Sequence, residues 1–184
     1  IVAFILHAAE WARARGLGEV RADDGSEDAK RTGVDLFGRL GVAATALGAA
    51  LSVSGVVARG VAAGRPPWGN MYEFVTAAIA LVVVLYLFCV WRWGMRWLGL
   101  GVTLLAAVFN GLAVTVFYVD VAPLVPALHS VWFIVHIIAA VIAAAGFNVA
   151  GVASILYIVR SVAEDRAIKR GEDRNAFKET MYRL

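Results

Sequence analysis

The sequence predicts an all-α protein: a polytopic transmembrane helix bundle, with about five spans in this stretch of chain. Composition, hydropathy and the spacing of apolar residues point there together. Of the 184 residues, 61% are hydrophobic and only 17% charged, whereas soluble chains run nearer half apolar and a quarter charged. Mean hydropathy is +0.75. The apolar residues gather into blocks near the length of about 20 residues that a helix needs to cross a bilayer. A membrane β-barrel would instead show alternating strands of roughly 10 residues.

The first apolar block, residues 1–12, is too short to cross and reads as the remnant of a span. The second runs over residues 38–60, the third over 71–91, the fourth over 98–118 and the fifth over 131–159. Residues 1–159 thus form the bundle. Residues 160–184 are charged and read as a helical cytoplasmic segment leading to the next span. The chain begins inside an apolar run without Met and stops just past a charged stretch, so it is read as part of a longer protein. RADDGSEDAKR, residues 21–31, is mixed in charge and lacks apolar anchors, which predicts a solvated loop. A single cysteine, Cys89, excludes an internal disulfide or CxxC pair within this segment and reads as a small core residue.

The net charge of +3 is modest, and its placement is more informative. The first connection holds six Lys and Arg, the third two and the tail seven, fifteen in all on one side. The second holds only Arg59 and Arg65, and the fourth none. The positive-inside rule puts the fifteen in the cytoplasm, so RPPWGNMYEF (65–74) and DVAPLVPALHS (120–130) both face outward. The six tryptophans fit this layout. Trp68 and Trp132 fall at the outer boundary, and Trp11, Trp91, Trp93 and Trp97 at the inner one, where interfacial Trp is favoured.

Polar residues inside spans are costly and are candidates for function. His7 and Glu10, three apart, predict a local pair on one helix face. Asn110 and Asn148, in the middle of spans four and five, predict hydrogen bonds across helices. His136 lies one turn below Trp132, roughly 6 Å deeper at 1.5 Å per residue. It shares a face with Ala140 and Ala143, which leaves room for something flat. An imidazole there can bond a neighbouring helix, move protons or bind a metal. His129 cannot share one iron with it as the opposite axial ligand. Such ligand nitrogens lie about 4 Å apart across the metal, but positions seven apart on a helix are roughly 10.5 Å apart and point the same way.

RPPWGNMYEF carries a helix-start signature. Pro66-Pro67 cannot continue the preceding helix, Gly69 permits a bend, and Asn70 followed by Glu73 is a capping-box arrangement. Glu73 also suits the positive end of the helix dipole. Trp68 and Tyr72 are left to the aromatic belt.

Three stretches together resemble the haem-handling membrane proteins of System II cytochrome c biogenesis, the CcsA/ResC type. RPPWGNMYEFVTAAIALVVVLYL is similar to that family's Pro-x-x-Asn-x-Tyr-Glu segment opening a span. PLVPALHSVWFIVHIIAAVIAAAGF is similar to its Pro-x-Leu-x-Ser-x-Trp-x-x-x-His run, and ETMYRL to the stretch before a further span. The resemblance extends over residues 36–184 in order and orientation.

The resemblance implies a haem-binding, haem-presenting subunit of a holocytochrome c synthase. Such a protein promotes thioether attachment of haem b to apocytochrome c on the outer side of a bacterial cytoplasmic (inner) membrane. It implies as partners a ResB/CcsB-like membrane subunit, an apocytochrome c carrying CxxCH and the lipid bilayer, with no nucleic acid. It makes His136 an axial haem ligand and Trp68, Asn70, Tyr72, Glu73 and Trp132 walls of the pocket. The Trp-rich loop and the second axial histidine would lie beyond Leu184, and Arg59 or Arg65 either meets a propionate or stays a solvated loop charge. The residues by themselves leave open a transporter or scaffold subunit with His136 structural, or a haem-handling protein of another maturation system.

Overall fold

A computed structural model describes residues 1–15, 26–122 and 130–169. They form five α-helices: α1 (Val2–Arg15), α2 (Ser26–Ala63), α3 (Met71–Trp93), α4 (Gly99–Thr115) and α5 (Val131–Lys169), with a 3₁₀ turn at Arg96–Leu98 leading into α4. There is no strand among the described residues. Four stretches are long and apolar enough to cross a membrane: Thr32–Ala63, Met71–Trp93, Arg96–Thr115 and Val131–Ala163. The 14-residue α1 is shorter than a span, as its sequence predicts.

Local chemistry sets the helix ends. α2 closes in a Schellman turn: Gly64 takes φ 59°, its N–H donates to Val61 O (3.1 Å), and Arg65 N–H donates to Gly60 O (3.2 Å). Pro66 and Pro67 then prevent continuation. α3 begins at Asn70, whose side-chain oxygen accepts from Glu73 N–H (2.9 Å). It ends at Gly94, at φ 68°, whose N–H donates to Val90 O (2.9 Å). α2 starts earlier than the hydropathy suggests, so residues 26–31 of the predicted loop are helical. Ser26-Glu27-Asp28 is a helix-start composition in the sequence. The charged segment after span five continues α5 as far as Lys169.

α3 is the central helix and packs against α2, α4 and α5, while α1 lies on α2 and α4. The principal core joins Val82 and Tyr86 of α3 to Leu98 and Val102 and to Ala145 and Val152 of α5. Ala49, Ile79 and Val83 tie α2 to α3, and Cys89 is buried as predicted. Leu51, Phe147 and Ile155 are among many large apolar side chains left exposed, as a lipid-facing surface requires. Among the described residues, Asn110 and Asn148 make no hydrogen bond across helices. Each donates to a carbonyl of its own helix, Ala106 O (2.9 Å) and Ala144 O (2.8 Å). The carbonyl one turn back is always within reach, whereas a neighbour's must be brought there.

The connections alternate between the two ends of the bundle. The α2–α3 and α4–α5 connections meet at one end, where Arg59 and Arg65 touch Glu73, Val119 and Ala122. The end of α1, the start of α2 and the turn into α4 meet at the other, where Arg96 touches Glu10 and Asp35.

Candidate functional site

At the first of these ends, two arginines close on one carboxylate. Arg59, near the end of α2, donates from Nε to Glu73 Oε1 (3.0 Å). Arg65, just past that helix, donates from Nη1 to Oε2 (2.7 Å) and from Nη2 to Oε1 (3.3 Å). Gly69 N–H donates to Oε2 (2.8 Å). The Glu73 side chain is 0% exposed, and those of Arg59 and Arg65 are 14% and 11% exposed. Four donors thus saturate a carboxylate withdrawn from water, the condition under which a buried charge is tolerated.

The same guanidiniums reach the α4–α5 connection. Arg59 Nη2 donates to Val119 O (2.6 Å), while Arg65 donates from Nη2 (3.0 Å) and Nε (3.3 Å) to Ala122 O. Arg65 Nη1 also donates to Pro66 O (3.2 Å). Tyr72 lies under Arg59, 5.3 Å from guanidinium carbon to ring centroid, and meets Tyr118 edge-on at 5.3 Å. Neither arginine is the solvated loop charge that one reading of the sequence allows.

The capping box is realised in part. Asn70 caps Glu73 N–H as the spacing predicts, but the Glu73 carboxylate turns to Gly69 N–H and the two arginines instead of to Asn70 N–H. Two cations held by the end of α2 outcompete one neutral donor. Trp68 is half-buried beside this cluster in sequence, its N–H donating to Pro66 O (3.0 Å).

His136 and Trp132 stand on α5 near the same end, both exposed, Trp132 at 81%. His136 has no hydrogen bond, ion pair or ring contact among the described residues. The structure therefore brings four of the six predicted residues into one neighbourhood and leaves Trp132 and His136 on a neighbouring helix face. His129, the rest of PLVPALH and ETMYRL lie outside the described residues.

The other histidine of the membrane region is fully engaged. His7 is 2% exposed, with Nδ1 3.3 Å from Glu10 Oε2 and Nε2 3.4 Å from Thr45 Oγ1. The predicted His7–Glu10 pair forms. Arg96 extends it, donating to Glu10 Oε1 (2.6 Å) and Asp35 Oδ1 (3.1 Å). A Cβ added at Gly41 would meet the His7 ring at 2.9 Å, and one at Gly99 would meet it at 2.6 Å, so this imidazole fills a slot with no room for a cofactor. No group of three or more metal-ligating side chains occurs among the described residues.

The carbonyl contacts of Arg59 and Arg65 were not foreseen from sequence. Their signal was present: Arg59 lies inside an apolar helix end, where a charge needs a partner, and Glu73 is the acid one connection away.

Four membrane-length helices among the described residues, tied by a buried ion cluster at one end and a more exposed one at the other, define a polytopic α-helical membrane protein that crosses its membrane several times. Residues 68–184 match the model of the cytochrome C assembly protein family. The match covers more than half of the sequence, and the chain belongs to that family. The chain is also 29% identical over 140 residues to the cytochrome c biogenesis protein CcsA of Synechococcus sp. (strain JA-3-3Ab). That similarity covers 74% of this chain but 40% of the relative, so the chain spans well under half the length of the curated protein it matches. No solved structure matches significantly. The family match takes in Trp68, Asn70, Tyr72, Glu73, Trp132 and His136.

Proposed function

We propose that this chain is the haem-presenting part of a cytochrome c synthase, with His136 an axial ligand to the iron of haem b. The observation that carries the reading is His136 itself. It is an exposed imidazole one turn into α5, without a hydrogen-bond partner among the described residues, in a cytochrome c assembly protein. A free imidazole nitrogen is what haem iron accepts axially. His7, with both nitrogens engaged in a tight slot, is not suited to that role.

Haem is the substrate here, and the assembled synthase joins its vinyl groups to the cysteine thiols of CxxCH. The residues of this chain bind and orient it. Trp132, one turn above His136, offers an exposed indole to one side, and Ala140 and Ala143 continue the same face without bulk. Trp68 and Tyr72 supply aromatic wall from the start of α3, while Asn70 and Glu73, both already engaged, hold that wall in place. The Lys and Arg imbalance supports the outward-facing reading of this end, in a bacterial cytoplasmic membrane. Apocytochrome c meets the site there, and a ResB/CcsB-like subunit and the remaining membrane segments complete it.

The full-length protein with its partner should purify with haem, and His136→Ala should lose it or shift its Soret band. An unchanged Soret band and haem content in that variant would sink the assignment.

A further inference from the structure

Arg59, Arg65 and Glu73 form a clasp that makes more bonds to the α4–α5 connection than a helix start requires. Capping of α3 needs only the Asn70 side chain and the Glu73 backbone N–H (2.9 Å), and the Glu73 carboxylate takes no part in it. That carboxylate is 0% exposed and accepts from Arg59, Arg65 and Gly69, so it has no face left for a ligand. What it does is orient two planar guanidiniums, one of them bidentate. Their remaining donors land on Val119 O and Ala122 O, in a connection whose carbonyls lack helix partners.

We infer that Glu73, through Arg59 and Arg65, is a positioning residue for His136. This rests on the reading of His136 as a haem ligand. The clasp holds Val119 O and Ala122 O, and α5 opens with Ser130 O accepting from Phe133 N–H (3.1 Å). α3 also packs along α5, so the helix that anchors the connection supports the helix that carries His136. His136 lies five residues beyond Val131 in a continuous helix, and a displacement at the helix start is carried to the imidazole. A metal–nitrogen bond near 2 Å tolerates little of it.

The test uses the full-length protein with its partner subunit, carrying Glu73→Gln, Arg65→Lys or Arg59→Lys, each alone and combined with His136→Ala. Glu73→Gln keeps shape and loses the charge that gathers the arginines. Arg65→Lys keeps charge and loses the fork that bridges Glu73 to Ala122. Hydrogen exchange over residues 116–122 should quicken in the clasp variants. Their haem affinity should fall about tenfold or more, the scale of losing a hydrogen bond to a charged group, and the Soret maximum should move. Added to His136→Ala, the same changes should cause no further loss, because both act through one ligand.

Faster exchange with unchanged haem affinity and spectrum overturns the positioning role. So does an equal loss in both backgrounds. If Glu73→Gln does not accumulate in membranes, the lysine variants are read by the same outcomes. An unchanged Soret band in His136→Ala alone overturns the ligand reading, and with it the role. Loss in His136→Ala with none in the clasp variants overturns the role only.

Discussion

Asn70 and Glu73 stand three positions apart at the start of α3, and their side chains divide the work there. Asn70 gives one oxygen to Glu73 N–H and satisfies a donor that the helix itself leaves open. Glu73 gives both oxygens to donors from outside the helix. Substitutions should separate the two. Asn70→Ala should cost about 1 kcal/mol of stability, and Asn70→Ser very little, since serine caps nearly as well. Thermal unfolding in detergent reads both. A serine variant that unfolds normally yet loses haem would show that Asn70 does more than cap. The Asn70 cap could be read from the sequence because capping is local, a matter of spacing along one chain. The reach of Arg59 and Arg65 to Val119 O and Ala122 O could not, because those carbonyls lie in another connection.

The helices meet through small residues facing buried polar ones. A Cβ at Gly99 would fall 2.5 Å from Tyr86 Oη and 2.6 Å from His7 Cε1, where α4, α3 and α1 converge. Gly41 of α2 presses on the same imidazole, and a Cβ at Gly38 would strike Arg96 and Glu10. A Cβ at Gly111, further along α4, would meet nothing within 4 Å among the described residues. Alanine normally improves a helix over glycine by up to about 1 kcal/mol, so Gly111→Ala should be neutral or stabilising. Gly99→Ala should instead destabilise by about 1–3 kcal/mol through overpacking. Equal unfolding midpoints for the two variants would contradict the seating of α1 through His7. The extent of most helices was legible in hydropathy and turn residues. The seats were not, because a glycine that frees a turn and one that admits a neighbour look alike in sequence.

Across the whole molecule, the charge count and the geometry agree on which connections share an end. The clasp joins the two Lys/Arg-poor connections, and the Arg96 cluster joins the start of α2 to the turn between α3 and α4. The fifteen-to-two imbalance of Lys and Arg predicts that the Lys/Arg-poor end faces outward. In a Cys89→Ser background, Asp120→Cys should react with an impermeant maleimide on intact spheroplasts. Arg13→Cys should react only after the membrane is opened. The reverse labelling pattern would invert the topology and move the proposed haem face to the cytoplasm.

The sequence by itself determined the class of protein, the capped start of α3 and the residues that resemble cytochrome c assembly proteins. Those features rest on hydropathy and on contacts within a few residues along the chain, which one sequence carries openly. Only the tertiary structure decided that Arg59 and Arg65 share Glu73 and hold Val119 and Ala122, that His7 is locked between glycines, and that Asn110 and Asn148 bond within their own helices. Those choices depend on which surfaces α1 to α5 turn toward one another. A chain with apolar residues nearly all round its helices does not encode that in any periodicity, because lipid and protein neighbours ask for the same side chains.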